Sequence, residues 1–127
     1  MTLEKIQELI IEYYKLADRE HIENYLEEVF LVEDFLVTRR SLKHIVEQRR
    51  KDKYTEVDIS NIFIGLHDTI LSKNFTIKES ESSSFILIGN TTLNATTLVV
   101  AVERSGEIKI IKTAFMRAST KAKRLIK

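Results

Sequence analysis

At 127 residues, with 43% hydrophobic and 31% charged side chains, the chain has the size and composition of one folded globular domain, not of a disordered segment. It contains no cysteine, which excludes disulfides and thiolate metal sites. The formal net charge of +1 conceals an asymmetry: residues 1–34 hold ten acidic and three basic groups, leaving nine acidic and seventeen basic groups for residues 35–127. A basic body of that kind suits a polyanionic partner, whereas the acidic head would repel one or pack beside the body. The N-terminal MTLEKIQELI is charged and amphipathic, with neither a signal-peptide core nor an apolar run long enough to span a bilayer. The expectation is a cytoplasmic protein without a membrane partner.

Leu3, Ile6, Leu9, Ile10, Tyr13 and Leu16 recur at helical spacing, with Thr2 as a candidate N-cap. Asp18 is placed to cap a second helix bearing Ile22, Tyr25, Leu26, Val29 and Phe30. Phe35 to Thr38 reads as a short strand. Ser41 then caps a helix that runs to about Arg50 and buries Leu42, Ile45 and Val46. Asp58 caps a further helix whose apolar stripe is Ile59, Ile62, Phe63, Leu66 and Ile70.

After Asn74 the period changes. The runs Phe75–Ile77, Phe85–Ile88, Leu98–Val102 and Ile108–Phe115 predict four strands, with KESESSSF as a polar loop between the first two. The short Arg104–Gly106 turn predicts an antiparallel hairpin of the last two strands. Ser119 to Lys127 is a basic helix or tail. The fold class expected is therefore α+β, with N-terminal helices packed on a four-stranded antiparallel meander. The runs FILI and LVVAV are apolar at consecutive positions, which implies cover on both sheet faces, either from the N-terminal helices or from a second subunit in a homodimer.

The segment FLVTRRSLKHIVEQRR carries the candidate chemistry. At about 100° per residue, Leu42, Ile45 and Val46 share one face of the helix, and His44 points away from it beside Arg40 and Gln48. A histidine titrates near neutral pH, and neighbouring cations favour its neutral, base-competent form. The competing reading is an ordinary exposed histidine on a basic helix. Arg49 falls near the apolar face, where it either holds its guanidinium fixed over a buried stem or serves the helix C-terminus electrostatically. At the end of the last strand, Thr113 offers a hydroxyl and Arg117 a bidentate donor to a phosphate. Simple alternation puts Lys112 on the face opposite Thr113 and Phe115, so both reach one site only through a twist or bulge. His21, His44 and His67 lack metal-ligand spacing, and no cofactor motif or GxSxG elbow is present. No metal or cofactor is expected.

Leu42-Lys43-His44-Ile45 within SLKHIVEQRR, the isoleucine-rich helix after it and the strand ending KTAF together resemble small phage and prophage nuclease-like domains. These are grouped with barnase, EndoU, the colicin tRNases and RelE as the BECR superfamily. The resemblance covers about residues 35–117, leaving residues 1–34 as an acidic helical extension and 118–127 as a basic tail. It implies helices followed by a four-stranded antiparallel sheet, and metal-independent ribonuclease activity through a histidine, cations and a hydroxyl. By position it carries over His44 and Thr113; the site expected around them adds Arg49 to the catalytic group, with Arg40, Lys43, Arg50, Lys112 and Arg117 binding substrate. Where the family motif often ends in arginine then histidine, this chain has Gln48-Arg49-Arg50, and a second histidine is missing. The implied partners are RNA, with tRNA one candidate, and an inhibitor or antitoxin protein. Two other readings compete with this one: a non-catalytic nucleic-acid-binding module on the same fold, and a protein-interaction or self-associating domain.

Overall fold

A computed structural model of the chain describes residues 3–15, 26–81, 83–89 and 96–118. Helix α1 (Leu3–Lys15) forms where the spacing predicts and buries Ile6, Leu9, Ile10 and Tyr13. Thr2 and Leu16 lie outside the described residues. So do Asp18, Ile22 and Tyr25 of the expected second helix, while Val29 and Phe30 belong to a strand, β1 (Glu28–Val32). EVFLV is a run of good strand formers, and a short apolar run satisfies helical and strand patterns alike. Pairing decides it: β1 closes an antiparallel hairpin with β2 (Phe35–Thr38) across a two-residue turn in which Glu33 has φ 55°.

Helix α2 (Arg39–Lys51) starts two residues earlier than Ser41. Its N-cap is Thr38, whose Oγ1 accepts from the Ser41 backbone N at 3.2 Å. The last strand residue thus doubles as the helix cap. The far end closes as a Schellman turn, with Lys53 at φ 67° and bonds from Lys53 N to Arg50 O and from Tyr54 N to Arg49 O, both 2.9 Å. In α3 (Glu56–Ser72) the cap is Thr55, not Asp58. Asp58 sits at the third helical position and completes a capping box by accepting from Thr55 N at 2.9 Å.

The remaining strands are β3 (Phe75–Glu81), β4 (Ser84–Gly89), β5 (Thr96–Ser105) and β6 (Ile108–Ala118). They form the expected antiparallel meander, with the β5–β6 turn at Gly106, φ 63°. The expected polar loop is mostly strand: Lys78, Glu79 and Glu81 pair with Ile86, Phe85 and Ser84. Polar side chains suit β3 because it is an edge strand, and Glu79 accepts both terminal nitrogens of Arg104 at 2.7 and 2.9 Å.

The sheet itself is larger than expected. It is six-stranded and mixed, in the order β1-β2-β6-β5-β4-β3, because the β1–β2 hairpin adds to the meander through a parallel pairing of Phe35 and Leu36 with Lys109 and Ile110. The backbone bond from Lys109 N to Asp34 O and the Lys109–Asp34 ion pair fix that junction. The hydrogen bond from Lys109, reinforced by its charge, holds the Asp34 carboxyl below the usual carboxylate range. The expected boundary at residue 34 therefore falls inside a hairpin. Residues of α1 and β1 share one core with α2, α3 and the sheet, centred on Phe63, Phe85, Leu87 and Ile111. A smaller cluster, Ile88 and Val99 with Ile86 and Phe115, covers part of the opposite face.

β2 ends at Thr38, whereas β6 continues to Ala118. Beyond the short parallel pairing, the outer edge of β6 is closed by side chains from α2 and the turn after it. Arg49 Nη1 donates to Ala114 O at 3.3 Å. The Tyr54 hydroxyl donates to Met116 O at 3.0 Å and accepts from Met116 N at 3.1 Å. One phenol thus does for Met116 what a neighbouring strand residue would do. Replacing Tyr54 by Phe leaves both backbone groups without that partner, so Tyr54→Phe should lower the unfolding free energy by about 1–3 kcal/mol in urea denaturation. An unchanged midpoint would show that the edge is not held this way.

Candidate functional site

The register of β5 against β6 slips at one place. Ala101 pairs with Thr113 but Val102 with Ile111, so Lys112 is the extra residue of a β-bulge. Without it, strict alternation would separate Ile111 and Ala114; with it, both are buried in the main core. The same slip brings Lys112 and Thr113, which alternation assigns to opposite faces, to one cleft. That cleft is lined by Arg40, Ser41, His44, Lys112 and Thr113 and has a volume of about 230 Å³.

The α2 half of this cleft is the first two turns of the helix. Leu42, Ile45 and Val46 are buried beneath it, so His44 is turned outward, as the spacing predicts. Helix N-termini carry partial positive charge and favour anions. Here the first turn holds no acidic residue and two arginines. Arg39 is neutralised by Glu27 at 2.8 Å and also donates to the Tyr13 hydroxyl at 3.1 Å. Arg40 is exposed, and no ion pair is found for it among the described residues. A cation left at the positive end of a helix opposes the macrodipole, and a bound anion would relieve that opposition. Ser41 is buried, with Oγ 3.1 Å from Thr38 Oγ1. Lys112 shares its ammonium with Glu103 at 3.2 Å, an exposed pair of the kind that competes weakly with another anion.

Partial desolvation holds the His44 imidazole below its ordinary value. Arg49, Arg40 and Lys112 push the same way, and Glu47 opposes them. Glu47 is itself engaged by Lys43 at 2.5 Å.

Arg49 lies in a second cleft farther along the seam between α2 and β6, lined with Asp52, Tyr54, Phe115, Met116 and Arg117. Besides its bond to Ala114, it pairs with Asp52 at 3.2 Å, and its guanidinium carbon lies 5.8 Å from the Tyr54 ring centre and 5.2 Å from that of Phe115. The buried stem and fixed guanidinium expected of it are found, but as an edge clamp beside the His44 cleft. Arg117 sits over Phe115 at 4.9 Å. Neither Lys43 nor Arg50 lines either cleft: Lys43 is buried on Glu47, and Arg50 donates to Tyr14 O at 2.6 Å on the α1 side of the helix. Helical geometry accounts for this, since positions 43 and 50 are seven apart and share a stripe other than that of His44.

Two residues here carry no site signal in the sequence: Ser41 reads there as a cap yet lines the cleft, and Tyr54, in the loop before α3, has no periodic context to mark it. His67 lies against Asp68 at 3.5 Å and edge-on to Phe30, while His21 is outside the described residues. Among the described residues, no group of three His, Cys, Asp or Glu side chains is placed to hold a metal ion. No helix described is long and apolar enough to cross a membrane. No protein-family model, curated protein or solved structure matches the chain.

The depressed His44 value has a definite sign. Well above pH 6.5, the ordinary value, the imidazole is neutral in folded and unfolded chains alike and has no effect on stability. As pH falls below it, the unfolded chain binds the proton first, so the folded state loses stability. The His44 midpoint measured by NMR should lie below 6.5 and rise in Arg40→Ala and Lys112→Ala. His44→Asn should flatten the acid limb of the stability curve. A midpoint at or above 6.5 contradicts the arrangement.

Proposed function

We propose that the chain is a metal-independent endoribonuclease that cleaves single-stranded RNA by attack of a 2′-hydroxyl on the adjacent phosphorus. The observation that carries this reading is the convergence of a neutral-leaning histidine, two cations and two hydroxyls on one open cleft at the positive end of a helix. His44 takes the 2′-hydroxyl proton. The new bond from the 2′-oxygen to phosphorus forms as the bond to the 5′-oxygen breaks, leaving a 2′,3′-cyclic phosphate. Water entering the open cleft protonates the departing 5′-oxygen, since no second titratable acid other than Lys112 lines it. Arg40 and Lys112 balance the charge that builds on the phosphoryl oxygens, and Thr113 and Ser41 offer it hydrogen bonds. The resemblance of SLKHIVEQRR and KTAF to BECR-superfamily domains supports the same assignment and adds tRNA as a substrate and an inhibitor protein as a partner.

In EDTA the protein should cut total RNA or tRNA and leave 2′,3′-cyclic ends. His44→Ala should lower kcat by about 10²- to 10⁴-fold. Failure to cut either substrate, or full activity in His44→Ala, overturns the catalytic assignment. The single titratable base of the cleft favours one second reading, a module that binds RNA without cleaving it. Affinity would then fall steeply with salt while His44→Ala leaves it nearly unchanged.

A further inference from the structure

We infer that the second cleft, between Arg49 and Arg117, is a nucleobase subsite that seats the base next to the phosphate held at His44; this rests on the RNA reading above. The two clefts lie along the same seam. On β6, Phe115 follows Thr113 by two residues, about 7 Å. On α2, Arg49 follows His44 by five residues, also about 7 Å. Both steps match the span of one extended nucleotide, so a single strand lying along the seam presents its phosphate to one cleft and its base to the other.

The chemistry of the two clefts differs in the way this division needs. The His44 cleft has cations and hydroxyls and no carboxylate in its lining. In the second cleft, of about 380 Å³, the charge of Arg49 is balanced by Asp52, which disfavours a phosphate there. Beside the one cation left, Arg117, the cleft offers flat π surfaces. The partly exposed Phe115 ring has two guanidinium groups over it, that of the exposed Arg117 at 4.9 Å and that of Arg49 at 5.2 Å, and Arg49 also lies over the Tyr54 ring. Bases stack on aromatic rings and on guanidinium planes with little regard to sequence. Arg49 is too tightly held to swing onto a ligand, whereas the Arg117 guanidinium meets only this ring among the described residues. Phe115 is thus more than packing for the small cluster of Ile88 and Val99.

The test uses a fluorescein-labelled 2′-O-methyl tetranucleotide, which cannot be cleaved, and the same probe with one abasic position, both titrated by anisotropy. Wild type should bind the complete probe roughly 5- to 150-fold more tightly than the abasic one, and Phe115→Ala should abolish that difference while Phe115→Tyr keeps it. The abasic arm needs no substitution, so it stands even if Phe115→Ala fails to fold. Equal affinity of wild type for the two probes overturns the subsite, and so does no binding at all. Base-dependent binding without RNA cleavage would sustain the subsite and sink the catalytic assignment. Cleavage that depends on His44 but not on the base at this position would do the reverse.

Discussion

β6 is longer than the strand beside it, and its backbone past Ile110 still has to be satisfied. Orphaned N–H and C=O groups at a sheet edge cost stability and invite pairing with other chains. The chain meets this requirement with α2 and the turn after it. Arg49 caps Ala114, and Tyr54, returned toward the sheet by the left-handed Lys53, closes both backbone groups of Met116. Those contacts lay α2 along β6 and so create the seam in which both clefts form. The placement of His44 is a consequence of how the edge of a strand is closed.

Within the seam, one inserted residue decides which side chains meet. The bulge at Lys112 keeps Ile111 and Ala114 in the core and still delivers Lys112 and Thr113 together to the surface. Bulges re-aim side chains in this manner, and they recur beside functional sites. The electrostatics follow the same line. Arg39 and Arg40 stand at the end of α2 where the helix dipole disfavours them, and only Arg39 is balanced by a described neighbour. Charge placed against local stability is an expected mark of a functional site.

Long periodic segments were legible without coordinates. The stripes of α1, α2 and α3, the outward turn of His44 and the meander of the last four strands all follow from spacing and strand composition. The β1–β2 hairpin was not legible, because EVFLV fits a helical continuation of Ile22, Tyr25 and Leu26 as well as it fits a strand, and only pairing with FLVT separates the two. Ser41 and Asp58 each sit at the third position of their helix, three residues after a threonine that caps it, so the choice of cap was displaced by one turn. A bulge leaves no mark in sequence. Alternation therefore puts Lys112 and Thr113 on opposite faces, and one site drawn on α2 takes in Arg49, Lys43 and Arg50 with His44 although their side chains leave the helix on other faces.

The proposed function requires phosphate to bind where α2 begins and β6 bulges. A crystal structure with a 2′-deoxy or 2′-O-methyl oligonucleotide tests it most directly. One phosphate should lie within hydrogen-bond reach of Arg40, His44 and Lys112, with the adjoining base against Phe115 and Arg117. A strand bound on another face, with the His44 cleft left to solvent, would contradict it.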